Sequence, residues 1–176
     1  MPNSDHETVL ELPGRLADVL VHCGGEKSGG TPGAGGNPCV TRCYPLRIRR
    51  SQVEPFPTLY WLSCPSLSRQ LSHLERDGAI GVIERELASN QPMRDKLARQ
   101  HQQYIDARWQ QISSHDRELI AQRGWENNFQ TRGIAGTQKW TTVKCLHAHY
   151  AHHLVDDNVI GLWIDQHYEI AACTGR

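Results

Sequence analysis

Apolar residues recur at three-, four- and seven-residue spacings through Met93, Leu97, Tyr104, Ile105, Trp109 and Ile112, the signature of one face of an α-helix. With Pro92 suited to a first turn, this predicts the longest helix of the chain. Its stripe faces a core, and Arg99, Gln100, Gln102, Gln103, Asp106 and Gln110 form a solvated side. Ahead of it, Ser66 or Ser68 can cap a helix running to about Asp77, where Gly78 ends it, and a second helix follows from Ala79 to about Ala88. Ser113 to Arg123 reads as another short helix. From Gly124 to Trp140 the period fades, and Asn127, Asn128, Gly133 and Gly136 mark a loop. A helix from near Cys145 to about Leu154 and a last one over Ile160 to Ala172 complete the pattern.

Strand character is confined to a short region. Phe56 to Ser63 is rich in aromatic and β-favouring residues, with Pro57 keeping its start off a central ladder position, and Arg47 to Arg50 reads as a short extended basic stretch. The fold class is therefore α+β and helix-dominated, with a small strand or hairpin element near residues 43–64 packed on four to six helices. Residues 24–38 hold seven glycines and two prolines, the composition of a flexible coil. This divides the chain into a flexible N-terminal segment with a Gly-rich linker, 1–38, and a single globular domain, 39–176. Before the linker, Val9, Leu10, Leu12, Leu16, Val19 and Leu20, with Pro13 placed to open a short helix, form either a segment that docks on the body or a weakly ordered appendage.

Composition narrows the function classes. At 176 residues the chain suits one domain. Nineteen basic and nineteen acidic residues balance, so no net field draws the whole molecule to nucleic acid or an anionic membrane. No apolar run approaches the roughly 20 residues that span a bilayer, and the opening residues carry no basic, apolar signal, so a cytoplasmic protein is expected. There, six cysteines are core residues, ligands or reactive thiols rather than disulfides.

Three of those cysteines stand in distinctive settings: Cys43 in Thr-Arg-Cys-Tyr-Pro, Cys64 in Trp-Leu-Ser-Cys-Pro, and Cys145 in Val-Lys-Cys-Leu-His-Ala-His-Tyr-Ala-His-His. Thiolate and neutral imidazole are the usual ligands of tetrahedral zinc. If Cys145 opens a helix, 100° per residue brings His149 and His152 to its side and turns His147 toward Val143, Tyr150 and Leu154. The expected site is zinc held by Cys43, Cys64, Cys145 and His152, tying the two ends of the domain together, with His147, His149 and Asn158 as further candidates. The bland alternative for His147 is a buried imidazole bonded to backbone, and for the cysteines three core residues; His153 reads as plain surface. An all-cysteine set, Cys39, Cys43, Cys64 and Cys145, suits an iron-sulfur cluster as well as zinc. A different class of reading makes Cys145 a thiolate nucleophile with His147 or His152 as base and Asn158 orienting it, or uses the metal as a Lewis acid. An RNA- or protein-binding module would use Arg42, Arg47, Arg49 and Arg50 beside Tyr44, Tyr60 and Trp61, although a basic edge strand explains the same residues. The partner and oligomeric state are not encoded in any motif.

From about Arg42 to Gly161 the chain resembles an uncharacterised bacterial family, domain of unknown function 501. The resemblance rests on Arg42-Cys43-Tyr44-Pro45, on Pro55 through Pro65 (Pro-Phe-Pro-Thr-Leu-Tyr-Trp-Leu-Ser-Cys-Pro), on Leu74-Glu75-Arg76-Asp77-Gly78, on Val143-Lys144-Cys145-Leu146-His147, on Ala151-His152 and on Asn158-Val159-Ile160-Gly161. It marks Cys43, Cys64, Cys145, His147, His152 and Asn158 as functional-looking positions and implies no activity. In favouring His147 it departs from the helical wheel. A helix starting one turn later would let both histidines reach the site.

Overall fold

The computed structural model describes residues 18–23 and 37–171. Five short strands and seven α-helices occur among them: β1 (Asp18–His22), β2 (Pro38–Arg42), β3 (Leu46–Arg49), β4 (Gln52–Pro55), β5 (Tyr60–Leu62), α1 (Pro65–Arg76), α2 (Ala79–Ser89), α3 (Gln91–Gln111), α4 (Ser114–Gln122), α5 (Glu126–Gln130), α6 (Leu146–Val155) and α7 (Val159–His167). The α+β, helix-dominated class is what the structure has. No described helix is long and apolar enough to cross a membrane.

β2 is the centre of a three-stranded antiparallel sheet, between β1 and β5. Its Val40, fully buried, lies opposite Leu62. The expected helix before the linker is, in its described part, strand β1: Asp18 pairs with Arg42 and His22 with Pro38, with two register shifts between. Alternation in Asp-Val-Leu-Val-His is short enough to fit either element, and pairing with β2 decides it. β3 and β4 form a separate hairpin, whose turn holds Arg50 and Ser51 at φ 48° and 64°. Two consecutive left-handed residues match the right-handed twist of the flanking strands.

The helices follow their caps. Cys64, in extended conformation ahead of Pro65, is the N-cap of α1, in place of Ser66 or Ser68. Gly78, at φ 87°, makes the left-handed turn between α1 and α2, a conformation that glycine adopts without a steric penalty. Asn90 accepts a hydrogen bond from the Met93 amide to open α3, and Ser113 accepts from Asp116 to open α4. The α3 stripe is buried as expected at Met93, Leu97, Tyr104, Ile105 and Ile112. Gln100, expected in solvent, is buried: its amide donates to the Asp157 carbonyl and its oxygen accepts from the Val159 amide. It braces the turn into α7, a contact between distant parts of the chain that periodicity does not register. The expected loop from 124 to 140 contains α5 and a 3-10 turn at Ile134–Gly136. Buried Arg108 organises it by donating to the carbonyls of Pro57, Phe129 and Arg132.

The principal core lies between the sheet, α1, α2, α3, α6 and α7, with Leu71, Ile83, Leu97, Leu146, Ile160 and Ile164 fully enclosed. A smaller cluster of Leu46, Ile112, Ile120 and Phe129 anchors the β3–β4 hairpin. His153, read as surface, is buried and bonded through Nε2 to Asp165 at 2.9 Å. The cause is Gly161: a methyl group there would meet the His153 Cβ at 2.2 Å, so glycine lets α6 and α7 close over the imidazole.

Candidate metal centre

Two stripes run side by side along α1. Leu67 and Leu71 are buried and Leu74 partly buried, facing the core, while Ser68, Ser72 and Glu75 repeat the same i, i+4, i+7 spacing one residue later and so line the adjoining face. The His147 ring lies against that polar stripe. Its Nε2 is 2.9 Å from the Ser68 carbonyl oxygen and 3.2 Å from the Ser72 hydroxyl. Its Nδ1 is 3.2 Å from a Glu75 carboxylate oxygen and 3.7 Å from the Cys145 sulfur.

The approach to α6 is held by two carboxylates from the preceding helices. Glu84 on α2 accepts from the Val143 amide at 3.0 Å, and Glu75 on α1 accepts from the Leu146 amide at 2.6 Å. Between them Cys145 is the N-cap, extended at φ −155° and ψ 118°. The helical wheel treated Cys145 as a helical position and turned His147 away from it. An extended residue does not follow 100° per step, and the outcome is reversed: His147 shares the site with Cys145, while His149 and His152 point into the core.

The Glu75 carboxylate, the Cys145 sulfur and His147 Nδ1 lie within 4.8 Å of one another. The side chains of His147 and Glu75 retain 25% and 27% of their exposure, so the site is reachable from solvent. Burial raises the pKa of the Cys145 thiol, and the Glu75 charge raises it further, against the amides of Ala148 and His147 at the start of α6.

The four expected ligands do not meet at one point. Cys64 caps the N-terminus of α1 and Glu75 lies near its C-terminus, eleven residues and about 16 Å along the axis. No single ion with bonds of about 2.3 Å bridges Cys64 to Cys145. The sulfur of Cys64 instead lies within 4.8 Å of those of Cys23 and Cys39. The all-cysteine set is divided in the same way, with Cys39 beside Cys64 and Cys145 at the far end of α1. Cys43 belongs to neither group; its amide bonds to the Leu59 carbonyl, and burial, opposed by the Thr41 side chain, pushes its thiol up to about 11.

His152 and His149 meet Asn158 instead. That residue caps α7, its side-chain oxygen accepting from the Ile160 and Gly161 amides at 3.0 Å, while its side-chain nitrogen lies 3.4 Å from His149 Nδ1 and 3.2 Å from His152 Nδ1. His152 stacks on Tyr60 and meets Tyr104 edge-on, both at 5.5 Å. Burial holds His149 down to about 3 and His152 to about 4, and His101, edge-on to His149, to about 4. These rings are neutral. Asn158 orients two histidines, but neither faces Cys145.

The expected nucleic-acid surface is largely occupied by internal contacts. Arg42 pairs with Asp18 at 2.8 Å and Arg47 with Glu54 at 2.6 Å, Arg47 also covers Phe56, and Tyr60 turns inward onto His152. Trp61 is the large exposed ring of this region, at 53%.

Sequence reasoning missed two residues, Glu75 and Cys23. The repeat Ser68, Ser72, Glu75 beside a leucine stripe was the available signal for the first. Cys23 directly precedes the glycine-rich residues 24–38, and nothing in its sequence setting points to Cys39 or Cys64.

The family model for a protein of unknown function, DUF501, matches residues 32–166. Its span takes in Glu75, Cys145 and His147 and stops short of Cys23. No match was found among curated proteins or among solved structures. The matched span is well over half of the chain, and the protein belongs to the DUF501 family.

Proposed function

We propose that the protein is a metal-binding protein whose site is Glu75, Cys145 and His147, and that the ion is zinc. The observation that carries this is the orientation of His147. Its Nε2 faces the Ser68 carbonyl, so the N–H belongs on that side and the Nδ1 lone pair is directed at the sulfur and the carboxylate. Metal-bound imidazoles are commonly fixed this way, by donation from the second nitrogen to a carbonyl or carboxylate. Sulfur, imidazole nitrogen and carboxylate oxygen are all zinc donors. A cation between them also relieves the juxtaposition of a thiolate with a carboxylate, because a coordinating thiol is deprotonated outright.

Three protein donors at a solvent-reachable point leave room for an exogenous oxygen or nitrogen ligand, the arrangement of Lewis-acid centres. A cytoplasmic setting, where thiols stay reduced, suits it. The second reading is an enzyme with Cys145 as nucleophile and His147 as base, favoured by their 3.7 Å separation. Against it, Glu75 shares the nitrogen that faces the thiol rather than orienting the ring from its other side, as triad logic requires, and the raised thiol pKa is the wrong direction for a nucleophile at neutral pH.

Metal analysis of protein purified without added metal tests the proposal. Wild type is expected to carry zinc, and Cys145→Ser and His147→Asn to lose it from this site with helical content intact. Zinc retained in full by both variants would eliminate the site. Stoichiometric labelling of Cys145 by iodoacetamide at pH 7, unaffected by zinc, would favour the nucleophile instead.

A further inference from the structure

We infer that Cys23, Cys39 and Cys64 form a second, all-thiolate zinc site that fastens β1 to the body of the domain. It is independent of the Glu75 centre and lies at the opposite end of α1.

The three sulfurs lie within 4.8 Å of one another and all three residues are buried. They come from three separate pieces of chain: the residue after β1, the second residue of β2, and the N-cap of α1. Each is fixed by its backbone. The Cys23 amide donates to the Asn37 carbonyl, the Cys39 carbonyl accepts from the Ser63 amide, and the Cys64 carbonyl accepts from the Ser68 amide. Pro38 and Pro65 further restrict the chain beside Cys39 and Cys64. The two register shifts in β1 immediately precede Cys23, and bulges of this kind re-aim side chains at functional sites.

Tetrahedral zinc with bonds of about 2.3 Å sets its sulfur ligands about 3.8 Å apart. The trio therefore needs a contraction of about 1 Å at most, within the range of small side-chain rotations. Thiolate sets select zinc and other thiophilic ions over magnesium or calcium. Cys64 adds a favourable field, because its sulfur lies at the positive end of the α1 dipole, where negative charge is stabilised. Cys23 follows β1 directly and Cys39 lies within β2, so an ion here ties the two strands together and opposes release of β1.

Cobalt substitution separates this site from the Glu75 centre. Sulfur-to-cobalt charge transfer in the near ultraviolet grows with the number of thiolates, and the two sites offer three sulfurs and one. Full-length wild type is expected to bind two equivalents, with a charge-transfer band about four times that of a single thiolate. Cys23→Ser and Cys39→Ser should each remove one equivalent and most of the band, while Cys145→Ser removes the other equivalent and only the minor part. A wild-type band no stronger than one thiolate overturns the inference without any variant having to fold, and leaves the Glu75 centre standing. One equivalent lost in Cys39→Ser but kept in Cys145→Ser supports the thiolate site and overturns the Glu75 reading.

Discussion

Helix α6 carries histidines in two environments. At its first turn His147 is partly exposed, with its two ring nitrogens facing a carbonyl and a carboxylate. Within the next turn and a half His149 and His152 are buried and face the side-chain nitrogen of Asn158. The same side chain is offered acceptors in one place and a donor in the other. Acceptors suit a ring that donates from one nitrogen and holds a cation on the other, and a donor suits a ring that accepts. The difference teaches that a run of histidines is not one site: the helix start chemically separates residues only two positions apart.

The sharpest way to break this contrast is acid. His101, His149 and His152 are held neutral by burial, near 4, 3 and 4, below the 6.5 of an unfolded imidazole. Between those values the unfolded chain binds more protons than the folded one, so stability falls as pH drops from about 6.5, through about 4 where His101 and His152 take up their protons, to about 3 where His149 does, and levels off below. Taken together the loss is on the order of 10 kcal/mol. Urea unfolding across this pH range should show it, and a flat profile would mean that the rings are not buried as described.

Next in size is Asn158→Ala, which removes a helix cap and the donor to both rings. A loss of about 3 kcal/mol is expected by chemical denaturation, with no effect on metal at the Glu75 centre. His147→Ala addresses the other environment. In metal-free protein it should cost about 1 kcal/mol, the scale of one hydrogen bond, and it should abolish the stabilisation that added zinc gives wild type through this site. The smallest effect belongs to Glu75→Gln, whose amide oxygen still accepts from the Leu146 amide. Metal-free stability should stay within about 0.5 kcal/mol, while zinc affinity at this centre falls at least tenfold. If Glu75→Gln matched wild type in affinity, Glu75 would be a helix cap alone.

Much of the helical framework was legible because it is written in local terms. The α3 stripe, Gly78 between α1 and α2, and the start of α4 at Ser113 all depend on neighbours within a turn or two. What failed was non-local. Gln100 looks like a surface residue until the α6–α7 turn arrives against it, and His153 looks exposed until Gly161 brings α7 close. The cysteines were recognised as chemistry-bearing, but their partners depend on α1 as a spacer that keeps Cys64 and Cys145 apart. One local detail, the extended backbone of Cys145, decided which histidine joins it. Periodicity cannot signal the residue at which a helix begins.

Strand β1 has a consequence for how copies of the chain meet one another. A regular strand left at the rim of a sheet presents unpaired amides and carbonyls that invite pairing with another molecule. β1 is five residues long, has two register shifts and carries the Asp18–Arg42 ion pair, all features that make it a poor template. β2, which it covers, pairs in regular register with β5 along Val40, Thr41 and Arg42. Removing the chain through Cys23 would uncover β2, and the shortened protein should self-associate at concentrations where the intact one stays dispersed. Part of the work of this first strand is thus to keep the sheet from growing.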